Sequence, residues 1–126
     1  MQNCLIVLGK DMKLYDFSNN KLDLIDFIIQ SKGKVFDKFL DFVAKNWDFL
    51  EKQEQIYLIL EPDSSFTDTR TIFIWLKSLE KFYQKDVFVV KLDNNIEIQN
   101  LASNLLNHLL TTAQKELIYS YEPKYF

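Results

Sequence analysis

Cysteine is nearly absent. Cys4 stands alone, so no internal disulfide can form, which points to a reducing compartment. Two glycines in 126 residues leave little of the bare backbone that usually cradles phosphates. One histidine, His108, and one cysteine make no zinc set and no Ser/His/Asp or Cys/His constellation. No catalytic residue, cofactor site or metal site is therefore read. Basic charge is also short: the net charge is −3, the pI is near 5.1, and no basic run stands out. That excludes nucleic-acid binding as the main activity, because basic surface dominates such affinity. No apolar run approaches the ~20 residues of a membrane span, and the N-terminus lacks a signal-peptide layout. The expectation is a soluble cytoplasmic protein.

What is present is apolar and aromatic: 48% hydrophobic residues, with 11 Phe, 6 Tyr and 2 Trp. That excludes disorder and supplies a core for a single domain over residues 1–126. Cys4–Leu8, Met12–Phe17 and Leu22–Gln30 read as three strands with connections short enough for an antiparallel meander. A helix is expected over Val35–Lys52, with Phe36, Phe39, Leu40, Val43, Trp47 and Leu50 as its stripe. A second row, Val35, Phe42 and Phe49, repeats every seven residues and makes the apolar arc wider than one sheet contact needs.

Ile56–Leu60 is continuously apolar, as a parallel strand buried on both faces requires. Glu61–Thr69 collects the Pro, Asp, Ser and Thr of turns and helix caps. A second helix follows over Asp68–Lys85, carried by Ile72, Leu76, Leu79 and Tyr83, and Phe73 and Ile74 fall off this stripe. Asp86–Leu92 reads as a strand and Ile96–Thr112 as a helix carried by Ile98, Leu101, Ala102, Leu105 and Leu109. Residues 1–112 form a core lobe, and 113–126 add a tail strand. A meander extended by two βαβ crossovers makes a mixed five-stranded sheet with flanking helices. This is the plan of the ribonuclease H-like fold, the half-domain of actin-like ATPases.

Ser65-Phe66-Thr67-Asp68-Thr69-Arg70 lies where the fourth strand hands over to a helix. Sites gather at such carboxyl ends of parallel strands. Arg70 is the only arginine, so a specific role such as a bidentate carboxylate contact or bracing of the loop stands beside that of a plain surface residue. Ser65 and Thr67 suit helix caps, and Phe66 suits a loop anchor.

The hexapeptide resembles the Ser-Phe-Thr-Gly-Leu-Arg signature of the TsaB family: Ser65, Phe66, Thr67 and Arg70 match, while Asp68 and Thr69 depart. The family's Gly-Pro-Gly before the serine is replaced by Pro62, Asp63 and Ser64. Bulky Phe73, Ile74 and Trp75 replace small residues after the arginine, and most of a second lobe is missing. The resemblance implies an actin-like ATPase fold and a subunit with no catalysis of its own. Such subunits support TsaD, which transfers threonylcarbamoyl to an adenosine beside the tRNA anticodon, with the ATPase TsaE also involved. It implies a partner surface on the helices, for which Val35, Phe42, Phe49, Phe73 and Ile74 are the candidates.

Two alternatives remain. One is a small ribonuclease H-like or nucleotide-hydrolysing enzyme using Asp16, Asp23, Asp26, Asp63 and Asp68; the first strand, CLIVL, holds none of the aspartates such enzymes need. The other is a homodimeric interaction domain using the same apolar helix row.

Overall fold

The computed structural model describes residues 2–29, 35–62, 64, 66–92, 98, 101 and 103–116, with the side chain of Phe66 excepted. Strands β1 (Asn3–Leu8), β2 (Asp11–Asp16) and β3 (Asp23–Ile29) are followed by helices α1 (Val35–Lys45) and α2 (Trp47–Leu50). Strand β4 (Gln55–Leu60), helix α3 (Phe66–Tyr83), strand β5 (Asp86–Lys91) and helix α4 (Ser103–Thr111) complete the chain order. The strands form one mixed sheet in the order β3-β2-β1-β4-β5. The β1–β2 and β2–β3 pairs are antiparallel; β1–β4 and β4–β5 are parallel. The meander, the two crossovers and the flanking helices are those read from the sequence.

Alternation along β1 splits the core in two. Cys4, Ile6 and Leu8 face α1, α2 and α3, with Met12, Leu14, Ile56 and Leu58 beside them. Leu5 and Val7 face the other way, with Tyr15, Phe17, Ile59 and Val90 under Leu106 and Leu110 of α4. Desolvation at this depth pushes the Cys4 thiol well above its ordinary value, so it packs as a small hydrophobe. Lys85 is also buried, at the start of β5; its Nζ donates to Glu51 O (2.5 Å) and Gln53 O (2.8 Å), while burial lowers its pKa.

The width of the α1 apolar arc has a structural reason. Phe39, Phe42 and Val43 are its buried residues, Phe39 and Val43 from the first row and Phe42 from the second. The sheet therefore sits beneath the middle of the arc, and one flank turns toward α3, where Phe39 meets Trp75 edge-on at 5.4 Å. The single helix expected to Lys52 breaks at Asn46, whose φ of −107° leaves the helical region. The Asn46 side chain donates to Phe42 O (2.9 Å) and to Asp26 Oδ2 (3.0 Å), tying the break to β3. Such local bonds are why Asn interrupts helices.

Two turns follow from side-chain chemistry. Asp16 Oδ1 accepts from Ser18 N–H (3.1 Å) and Ser18 Oγ (2.9 Å), and Asn19 and Asn20 both sit at positive φ, which asparagine tolerates. Ser103 Oγ donates to Asn20 O (2.8 Å) and Asn107 Nδ2 to Asn20 Oδ1 (3.0 Å), docking α4 on that turn. In α4 the expected stripe is displaced by one position: Leu106 and Leu110 are buried, Leu101 and Leu109 are partly buried, and Leu105 is exposed. Residues 93–97, Ala102 and the tail from 117 onward lie outside the described residues. Gln114 forms an isolated antiparallel bridge to Val89.

Candidate functional site

Strands β1, β4 and β5 are parallel, so their carboxyl ends, Leu8, Leu60 and Lys91, gather on one side of the sheet. Glu61 N–H donates to Leu8 O (2.8 Å), which extends the β1–β4 ladder past Leu60. The Glu61 side chain then lies over the β1–β2 turn. A Cβ on Gly9 would come within 2.8 Å of the Glu61 Cβ and closer still to its carboxylate. Gly9 is thus needed for this approach. A phosphate entering here would meet a carboxylate, the wrong sign for a cradle.

Beyond Glu61 the chain turns, with Ser64 N–H (3.0 Å) and Ser64 Oγ (2.8 Å) both donating to Glu61 O. α3 begins at Phe66, two residues before the expected start, so Thr67 lies inside the first turn and is not its cap. Ser65, Asp63 and the side chain of Phe66 lie outside the described residues. Thr67 and Arg70 are exposed, and so are Thr71 and Ile74. Positions 67, 70, 71 and 74 stand at i, i+3, i+4 and i+7, which puts them on one helix face. The structure therefore joins two residues of the signature with one candidate interface residue on a single outward surface. Thr71 Oγ1 donates to Thr67 O (3.0 Å) along it. Among the described residues the Arg70 guanidinium has no ion-pair partner.

The other candidate interface residues are placed differently. Phe42 is 3% exposed and Phe73 is 6% exposed; both belong to the core between the sheet and α1–α3. Val35 and Phe49 are partly buried against the same cluster. The expected outward row of Val35, Phe42 and Phe49 is not formed, because the row lies against sheet and neighbouring helices. Phe73 is inside because buried Thr69 widens the α3 stripe to 69, 72, 73, 76 and 79. Ile74 alone of the five is open, at 61%. Tyr83, expected to help carry the stripe, is exposed, as is Phe82, although Tyr83 keeps an edge contact to Trp47 at 5.3 Å.

Three of the acidic residues considered for metal chemistry, Asp16, Asp23 and Asp26, are separately engaged, and Asp63 lies outside the described residues. Asp16 binds Ser18, and Asp23 pairs with Lys21 at 3.8 Å. Asp26 accepts from Asn46 and pairs with Lys45 at 3.1 Å. The Asn46 bond is the main reason its carboxyl lies below the usual range, with Lys45 adding to it against a burial penalty. Among the described residues no group of three or more His, Cys, Asp or Glu is placed to hold a metal ion. No helix among them is long and apolar enough to cross a membrane. His108 is exposed on α4.

The fold class is the ribonuclease H-like, actin-like one expected of this strand order. No protein-family model matches the chain, and no curated protein matches it. Among solved structures it is similar to YeaZ from Pseudomonas aeruginosa, with a TM-score of 0.50 and 11% sequence identity. The likeness covers 71% of this chain and 43% of the YeaZ chain, so the chain spans less than half of that protein. At this identity the likeness is one of fold.

Proposed function

We propose that the chain is a non-catalytic TsaB-like subunit that binds and supports a TsaD-like threonylcarbamoyltransferase in tRNA threonylcarbamoyladenosine formation, with a TsaE-like ATPase as a further component. The observation that carries this reading is the fold likeness to YeaZ, a TsaB protein, over 71% of the chain. The signature residues Thr67 and Arg70 add to it, because they stand at the start of α3, where the resemblance requires them. The tRNA chemistry belongs to the partner in this reading, and the chain itself contacts no nucleic acid.

The partner surface is the outward face of α3: Thr67, Arg70, Thr71 and Ile74. An exposed isoleucine beside an arginine is the composition of an interface centre, where apolar anchors and Arg are enriched. Arg70 offers a planar fork for a partner carboxylate, which a lysine would not match. Co-purification with a TsaD-like protein tests the reading. A complex at micromolar concentration is the expected result, weakened by Ile74→Asp and by Arg70→Ala. Two folded proteins that do not associate at that concentration would overturn it.

A further inference from the structure

The α4 side of the sheet carries a pocket at the end away from Gly9 and Glu61. Asn3 opens β1 and lies two residues before Leu5, so alternation turns it toward α4 with Leu5. Tyr57 pairs with Leu5 across the β1–β4 ladder and faces the same way. The turn at Asn19 and Asn20 borders the pocket on one side, and Asn107, Leu110 and Thr111 of α4 border it on the other. Its volume is about 320 Å³, at the small end of the range for ligand pockets.

Two features distinguish it from a plain crevice. The lining is neutral: four asparagines, a tyrosine and a threonine supply its polar atoms, and none of the described residues around it is charged. Part of that polar lining is also uncommitted. Asn107 Nδ2 donates to Asn20 Oδ1 (3.0 Å), the Tyr57 hydroxyl donates to Gln55 Oε1 (3.3 Å), and Thr111 Oγ1 donates to His108 O. Asn19, exposed at positive φ, takes no part in the bonds that dock α4 on this turn. Asn3 Oδ1 is buried, and no donor among the described residues reaches it. A buried acceptor without a donor destabilises the fold, and native structures hold few of them. Asparagine is also a disfavoured residue in a strand. Its placement beside a pocket gives that acceptor a use.

We infer that this pocket binds a small neutral polyhydroxyl molecule, a monosaccharide in size and chemistry. The lining selects that class. A phosphate or carboxylate would enter a half-enclosed site with no cation to meet it. A hydroxyl both donates and accepts, and so does an asparagine amide, so the two match in either orientation. The small apolar remainder, from Phe17 and Leu110, suits the C–H groups of a sugar ring. A flat nucleobase is poorly served, because bases are held by stacking on open aromatic faces. Here the Tyr57 ring already stacks on Phe88 at 5.0 Å, and Phe17 is a core residue. The pocket lies at the amino ends of the parallel strands and on the face opposite α3. The inference is therefore independent of the proposed partner surface.

Nuclear magnetic resonance of the isotope-labelled full chain, titrated in turn with glucose, galactose and mannose, tests it. At least one sugar is expected to give saturable shifts in the millimolar range, centred on the amides of Asn3, Asn19, Asn20 and Asn107. Inorganic phosphate and adenosine should give none there. Asn3→Leu replaces the unmatched acceptor with an apolar side chain of similar size. Its melting temperature should hold or rise, while sugar affinity falls at least about tenfold. Asn19→Gly gives a second variant that keeps the fold, because glycine accepts the φ of 61° at this position. It too should weaken binding. No saturable shift with any of the three sugars, shifts centred elsewhere, or affinity unchanged in both variants would each overturn the inference. So would phosphate or adenosine binding in this pocket in place of the sugars.

Discussion

At the β5 edge of the sheet, Gln114 exchanges two backbone hydrogen bonds with Val89, of 2.8 and 3.0 Å. Lys115 follows, pairing with Asp86 at 2.8 Å and Glu80 at 3.6 Å, and lying over the Phe88 ring at 4.7 Å. Asp86 is the main reason the Lys115 ammonium is held above its ordinary pKa. Lys77 completes the group by pairing with Glu80 and donating to Lys115 O at 2.9 Å. At the β3 edge no described residue pairs with the strand, and one aspartate covers one N–H. Both edges face the hazard of unwanted pairing. One meets it with the chain's own backbone and a lysine-rich ion network, whereas the other leaves Ile25, Phe27 and Ile29 exposed. The difference teaches where to look for partners: among the described residues, exposed apolar surface is concentrated on β3 and on α3.

The largest effect separates positions near the open edge that lie on either side of the surface. Phe42 lines the groove beside β3 yet belongs to the core, so Phe42→Ala should cost about 3–5 kcal/mol in urea unfolding. Phe27→Lys, on the edge itself, should stay within about 0.5 kcal/mol of the parent. Equal losses at the two positions would erase the contrast.

A smaller effect is expected at the closed edge. Burial opposes the charged form of Glu80, yet hydrogen bonds from Lys77 and from Val87 N–H (3.0 Å), with Lys115 nearby, hold its pKa below the usual range. Glu80→Ala leaves that N–H without its acceptor and should cost about 1–3 kcal/mol. Amide exchange at Val87 and Val89 should speed up while that at Ile28 does not.

The smallest effect is one of pH. The folded state lowers the pKa of Asp26, so it binds fewer protons there than the unfolded chain does. The stability Asp26 contributes is complete above the unfolded aspartate value, about 3.9. It is lost as pH falls through the lower folded value. Acid titration of Asp26→Asn should show a shallower loss of stability over that window than the parent. An identical titration would mean that the tie between β3 and α1 carries no weight.

Much of this architecture was legible. The runs CLIVL, IYLIL and VFVV have no charged interruption because each strand is covered on both faces, and the short connections mark the meander. The helix faces were read less well, for reasons visible in single residues. Phe42 reads as outward for a helix with one neighbour, whereas α1 packs on both the sheet and α3. Phe73 reads as outward because Thr69, a polar residue, gives no apolar signal for its place in the buried stripe. Asn46 carried a signal for the helix break, but its partner Asp26 is 20 residues away and unreadable by spacing. The alternation Ile25, Phe27, Ile29 was in plain view, but only the strand order shows that β3 is an edge.

The central claim, that this chain is a partner-binding subunit, is tested most directly by titrating it against a TsaD-like protein in a calorimeter, with Ile74→Asp alongside. The account predicts a saturable complex of micromolar or tighter affinity, weakened about tenfold or more by Ile74→Asp, which itself changes folding stability by less than about 0.5 kcal/mol. No heat of binding from two folded proteins, confirmed by their separate migration in sedimentation, would contradict it.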